Sequence, residues 1–207
     1  MARVLKIDRG NPDLSLLQQA ARLIREGEVI AFPTETFYGL GTDALNTRAV
    51  EKVFEIKQRS RTSPILVLVN SFSQASDLVE IVPPQAWSLI TRFWPGPLTL
   101  VFKASDKVPR ILTAGTGKIG IRIRSDPLAR RLLETVAVPL TATSANRSGD
   151  KSPTTAQSVA QTLGGEVALI LDAGPTPGGL PSTVVDVTTD PITFLRKGQI
   201  PEEMLLK

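Results

Sequence analysis

The segment Val50–Val69 reads VEKVFEIKQRSRTSPILVLV, and its period changes halfway along. Val50, Val53 and Phe54 recur at helical spacing, and Lys57 continues their stripe. TRAVEKVFEIK is therefore expected to be a helix with Lys57 turned towards the sheet rather than to solvent. PILVLV is a continuous apolar run, as expected of a central strand covered on both faces. A helix that feeds a doubly covered strand is the repeating unit of a layered α/β sheet. The junction is crowded with cations: Lys57, Arg59 and Arg61, with Lys52 one helical turn before them. Cations at a helix C-terminus complement its dipole, at about 0.3–1 kcal/mol each. Loops beside the strands of α/β sheets are also where binding sites gather. Spacing alone leaves both readings open.

The same alternation runs through the rest of the chain. NPDLSLLQQAARLIREGE reads as a helix, with Asn11 as cap, Pro12 in its first position, Gly27 at its end, and Leu17, Ala20, Ala21 and Ile24 as its apolar stripe. EVIAFP follows as a strand. A helix over Pro84–Phe93, the loop WPGP and the strand LTLVFKA come next. KIGIRIR alternates like a strand with one wet face. DPLARRLLETV and TTAQSVAQTLG are helical, and PLTAT, VALILD, STVVDV and ITFLRKG are strands. This order predicts an α+β protein of layered α/β type with a mixed sheet, in one domain over residues 1–207. The Gly/Pro-rich DAGPTPGGLPS is the best candidate for a mobile loop and is too short to separate domains.

Composition narrows the chemistry. The 207 residues are 42% hydrophobic and 21% charged, with a formal net charge of +4, as suits a globular protein with anionic partners. The apolar runs are too short to span a bilayer, and the N-terminus MARVLKIDRG has no apolar core, which fits a cytoplasmic protein. There are no cysteines, so disulfides, Cys metal sites and thiol catalysis are excluded. There are no histidines, so a Ser-His-Asp triad, a His base and a His-ligated zinc are excluded as well. What remains is chemistry by charge, positioning and an oxygen-ligated metal.

GTGKIG at Gly115–Gly120 matches G-x-G-x-x-G letter for letter. A dinucleotide fingerprint follows a strand and opens a helix, whereas this one precedes a strand pattern. A Walker A loop fails too, because Leu112 occupies the first glycine position.

Seven motifs occur in order: AFPTETFYGLGTDA (Ala31–Ala44), IKQR (Ile56–Arg59), WPGPLTL (Trp94–Leu100), IGIRI (Ile119–Ile123), TSANRSG (Thr143–Gly149), PSTVVDV (Pro181–Val187) and LRKG (Leu195–Gly198). Together they closely resemble the YrdC/Sua5 family, the threonylcarbamoyl-AMP synthases, over nearly the whole chain. The resemblance implies a three-layer fold with a twisted mixed β-sheet flanked by helices and a deep cationic groove. It also implies a reaction: L-threonine, bicarbonate and ATP, the last with Mg²⁺, give threonylcarbamoyl-AMP and pyrophosphate. The product would feed other proteins that modify adenosine in tRNA. A carbamate is already anionic and needs no histidine base to attack a phosphate; it needs relief from repulsion.

By the same resemblance, Lys57 and Arg59 look like a K-x-R pair aimed at phosphate and carbamate, with a catalytic role. Ser144 and Asn146 look like nucleotide-phosphate ligands beside that pair, and Lys118 and Arg196 would help to bind ATP. Thr34, Arg122 and Ser182 would form the threonine pocket, with Arg122 gripping the carboxylate through its planar fork. No protein side chain is assigned to a metal. Taken without the resemblance, Thr34 is a turn hydroxyl, Ser144 and Asn146 are turn formers, and Arg122 is an exposed strand arginine.

The sequence departs from the family pattern at Ser60, where proline is frequent after K-x-R, and at Leu68, where some members carry histidine. The chain ends soon after LRKG, so it looks like the short form without the extra C-terminal Sua5 domain. Two alternatives remain: a paralogue with the same fold and another substrate, and a module binding double-stranded RNA through its cations; weak binding of double-stranded RNA or tRNA is a further expectation. No membrane partner is expected.

Overall fold

The computed structural model describes residues 2–206. Ten strands form one mixed sheet: β1 (Arg3–Lys6), β2 (Ile30–Pro33), β3 (Tyr38–Gly41), β4 (Leu66–Val69), β5 (Leu98–Lys103), β6 (Lys118–Ile123), β7 (Leu140–Ser144), β8 (Leu169–Asp172), β9 (Thr183–Asp186) and β10 (Thr193–Arg196). Their order across the sheet is β1-β8-β2-β3-β7-β4-β6-β5-β9-β10. β1 with β8, β8 with β2, β4 with β6 and β5 with β9 run parallel; the other neighbours are antiparallel.

Among the described residues six helices connect the strands, α1 (Leu14–Arg25), α2 (Thr47–Lys57), α3 (Phe72–Ser76), α4 (Pro84–Phe93), α5 (Pro127–Val136) and α6 (Ala156–Leu163), and α7 (Glu202–Leu205) follows β10. Period-2 alternation assigns each strand residue to one of two cores. Val67 and Val69 of β4 join the core under α2, α4 and α6, while Leu68 between them joins the core under α1 and α5. Helices on both faces of one sheet make the three layers, and PILVLV is apolar throughout because both of its faces are covered.

The expected elements are present with small shifts. α1 begins at Leu14, not at Pro12: Asp13 caps it by accepting a 2.7 Å hydrogen bond from the Ser15 N–H, which displaces Asn11 from that role. Gly27 ends it at φ +79. α2 and α4 have the expected bounds. β1, β3, α3 and α7 had no expectation from pattern. β1 lies at the sheet edge and is mostly exposed, so it shows no alternation. β3 is YGLG, a poor strand former by propensity. Its glycines let it lie close between β2 and β7: a Cβ on Gly41 would come within 2.7 Å of the Phe32 ring. GTGKIG is the turn that enters β6, with Gly115 and Gly117 at φ +76 and +68, and no helix follows it.

Candidate active site

α1 and α5 cover only part of their face of the sheet. They pack over Leu68 of β4 and Leu140 of β7 but leave β6, β5 and β9 uncovered, and a cavity of about 900 Å³ stands there and reaches the ends of β4 and β7. Its floor is a period-2 pattern: Lys118, Gly120 and Arg122 of β6, Thr99 and Val101 of β5, Leu66 and Leu68 of β4, Ala142 and Ser144 of β7. The isoleucines between the β6 residues go to the opposite core. The wet face expected of IGIRI is this floor, and it is shielded: Arg122 is only 5% exposed. That corrects the expectation of an exposed strand arginine. The walls are the β2–β3 turn, the segment after α2, and the loop before β9. That last loop, read as mobile from its composition, is tied down along its length: the Thr176 and Gly178 N–H groups donate at 2.8 Å to the carbonyls of Thr154 and Thr36, and the Tyr38 hydroxyl donates to the Gly174 carbonyl at 2.7 Å.

The four cations of the opening segment separate by direction. Gln58 caps α2 in the left-handed region at φ 50, which turns the chain so that Arg59 lines the cavity. Arg59 donates to the carbonyls of Ser63 (3.1 Å) and Pro64 (2.8 Å). Lys52 pairs with Glu28, and Arg61 lies near Glu51 and over the Phe54 ring. Lys57 is 2% exposed and sits behind the cavity wall. Its ammonium donates to the carbonyl of Ser144 (2.6 Å), the carbonyl of Asn146 (2.7 Å) and Asn146 Oδ1 (3.1 Å). An ammonium has three donors, and here all are spent on the TSAN segment. Burial, and next the Arg59 charge, push its pKa down to about 8.

Asn146 is also tied internally. It accepts from the Ser144 hydroxyl and donates through Nδ2 to the Asp150 carbonyl at 2.6 Å. Ser144 lines the cavity, whereas Asn146 holds the loop from behind. Lys57 and Asn146 are thus next to the expected phosphate site without opening into it in this conformation.

On the far wall, Arg196 donates to the Ser182 carbonyl (3.0 Å) and hydroxyl (2.8 Å), and that hydroxyl lies 2.9 Å from the Thr99 hydroxyl. Lys118 pairs with Asp186 at 2.8 Å. Burial raises the Asp186 carboxyl, but hydrogen bonds from Lys118 and Thr188 leave it below the usual carboxylate range. Thr34 lines the cavity and closes the β2–β3 turn, its hydroxyl donating to the Phe37 carbonyl at 2.6 Å.

Two residues escaped the motif reading. Arg124, two residues beyond Arg122, also lines the cavity, and Glu35 of PTET bridges the pair. Arg122 Nη2 donates to one oxygen of the Glu35 carboxylate and Arg124 Nη1 to the other. Arg122 Nε also donates to the Gly96 carbonyl at 2.8 Å. Burial, then the Arg124 and Arg196 charges, lower the Arg122 pKa from its ordinary value. The strand period of IGIRIR was the available signal for Arg124; nothing local pointed to Glu35.

Among the described residues, no group of three or more His, Cys, Asp or Glu side chains is gathered to hold a metal. None of the described helices is long and apolar enough to cross a membrane.

Comparison with known proteins agrees with this architecture. The Sua5/YciO/YrdC family model, described as "Telomere recombination", matches residues 22–198. A threonylcarbamoyl-AMP synthase of Bacillus subtilis is 46% identical over 191 residues, covering 91% of this chain and 55% of that protein. The Pyrococcus abyssi protein of that name is 44% identical over 188 residues, with the same shares. The chain therefore spans about half the length of these curated relatives. The crystal structure of P. abyssi Sua5 complexed with L-threonine superposes with a TM-score of 0.93 at 40% identity, covering 98% of this chain and 59% of that one. With the family model matched over residues 22–198 and these relatives at 44% and 46% identity, the chain belongs to the Sua5/YciO/YrdC family.

Proposed function

We propose that this protein is an L-threonylcarbamoyladenylate synthase, a nucleotidyltransferase that joins L-threonine, bicarbonate and ATP. The observation that carries this reading is the lining of the one bare sheet face. Thr34, Arg59, Arg122, Ser144, Ser182 and Arg196, drawn from six separate motifs, face a single cavity together with Lys118, which stands just before IGIRI. Five cations line it, counting Arg124, and the carboxylates paired with them are Glu35 and Asp186. That leaves an excess of positive charge in a shielded groove, where ion pairing is stronger than in water.

In the proposed reaction the threonine amine condenses with bicarbonate, releasing water and leaving a carbamate. A carbamate oxygen attacks the α-phosphorus of ATP, and the bond to the β-phosphate oxygen breaks to release pyrophosphate. Arg59 and Arg196 have no carboxylate partner among the described residues and suit the polyphosphate, with the Ser144 hydroxyl as a further donor. Lys118 would assist from the rim. Arg122, Thr34 and Ser182 suit the amino acid. Lys57 and Asn146 would act on the phosphates through the loop they hold. Mg²⁺ would enter chelated by the triphosphate. The adenylate would pass to tRNA-modifying proteins in the cytoplasm, and any RNA binding would be weak and salt-sensitive.

Leu68 favours a second reading. It lines the cavity and is 1% exposed, so an apolar side chain stands beside the expected threonine pocket. A paralogue with another acceptor would share every other feature. The deciding experiment incubates the purified chain with ATP, Mg²⁺, bicarbonate and labelled threonine. Threonine- and bicarbonate-dependent pyrophosphate release, with a labelled adenylate on chromatography, is expected. Release that ignores threonine overturns the synthase reading in favour of the paralogue.

A further inference from the structure

The cavity has to hold a polyphosphate and an amino acid side by side, and arginines serve both. Their pairing divides them. Arg59 and Arg196 donate only to carbonyl and hydroxyl oxygens. Arg122 and Arg124 share one carboxylate, Glu35, which sits in the turn between the lining residues Thr34 and Thr36. Arg196 reaches Arg122's strand through Ser182 and Thr99 of the adjoining β5, and both arginines line the one cavity, so the two kinds of subsite adjoin. An arginine pair with no anion beside it would attract phosphate and carboxylate alike.

We propose that Glu35 is the specificity-determining residue that reserves Arg122 and Arg124 for a zwitterionic amino acid and turns phosphate away. The inference rests on the synthase reading of the same cavity. A guanidinium has five N–H donors, and Arg122 spends one on Gly96 and one on Glu35, so donors remain for a substrate carboxylate. Arg124 Nε is the single buried side-chain polar atom among the described residues without a hydrogen-bond partner, so this end of the cluster also retains capacity. A phosphate brought here meets the Glu35 charge and is repelled. An amino acid brings an ammonium with its carboxylate, and the same charge attracts it. Specificity then comes from the unfavourable contact offered to the wrong ligand as much as from the favourable one. Glu35 also compensates two buried guanidinium groups when the cavity is empty, since an uncompensated buried charge is strongly destabilising.

The test uses Glu35→Gln, which keeps the shape and removes the charge. Because it leaves two buried arginines unbalanced, the double variant Glu35→Gln with Arg124→Met is made alongside it; that pair keeps the net charge of the cluster. Titration calorimetry at constant ionic strength measures inorganic phosphate binding, and threonine binding with and without saturating phosphate. Both variants are expected to gain at least ~10-fold in phosphate affinity, and phosphate should compete with threonine in them far more than in the wild type. Glu35→Asp, which keeps the charge, should still refuse phosphate. Threonine binding in all forms with an unchanged response to phosphate overturns this inference alone. A wild-type chain that binds no threonine overturns the proposed function and this inference together.

Discussion

At the scale of single residues, Lys57 and Arg59 lie two positions apart and do different work. Arg59 lines the cavity, whereas Lys57 is buried and spends its whole ammonium on the Ser144–Asn146 segment. Arg59→Ala is expected to cost about 100-fold in turnover, as loss of a charge-assisted contact to a developing anion does, with little change in Tm. Lys57→Ala should lower activity and Tm together, because the Ser144 and Asn146 carbonyls lose their lysine donor while Asn146 Oδ1 keeps only the Ser144 hydroxyl, at about 1–3 kcal/mol for each buried group left unpaired. Turnover and thermal melts of the two variants check the contrast; equal melts would remove the structural role of Lys57. Its proton adds a second handle. The folded pKa is about 8, below the unfolded lysine value of about 10.4. Between those pH values the unfolded chain holds more protons, so Lys57 contributes a stability that rises with pH through this window and is flat below it. Urea unfolding from pH 7 to 10 should show a steeper rise in the wild type than in Lys57→Met.

At the scale of elements, one wall of the site is built where β9, β10 and their flanking turns meet. Arg196 at the end of β10 is locked to Ser182 just before β9, and the chain then turns back at Gly198. A Cβ on Gly198 would overlap the Pro181 carbonyl oxygen and the backbone of Ser182 and Thr183. The obstacle is backbone, so no side-chain rotation relieves it. Gly198→Ala should therefore push the turn off β9, costing about 1–3 kcal/mol of stability. It should also raise the KM for both ATP and threonine, because Arg196 and Ser182 move together. Steady-state kinetics check this, and a rise confined to one substrate would show that the two residues act separately.

At the scale of the whole molecule, the cavity exists because the two helical layers differ in extent. α2, α4 and α6 back one face of the sheet, while α1 and α5 stop short on the other. Five adjacent strands then offer alternate side chains to one space, and strand pairing brings together residues far apart in the chain. Lys118 of β6 meets Asp186 beyond β5, and Thr99 of β5 meets Ser182 before β9.

Much of this was legible without coordinates. The helices and most strands follow from apolar period and caps, which are local properties of consecutive residues. PILVLV announced a doubly covered strand, and the stripe through Val50, Val53 and Phe54 correctly turned Lys57 inward. The absence of histidine and cysteine excluded thiol catalysis, a histidine base and Cys- or His-ligated metals. Edge strand β1 and glycine-rich β3 were illegible because pairing with neighbours, not propensity, makes them strands. The division of labour among the cations was illegible for a related reason. Whether a lysine two residues from an arginine reaches a cavity or a carbonyl depends on a left-handed cap at Gln58 and on a loop 87 residues further on. Glu35 met Arg122 and Arg124 only because β2 and β6 lie in one sheet. A sequence states which charges a chain carries; which of them remain unpaired is decided by tertiary contacts, since pairing is a matter of distance in space.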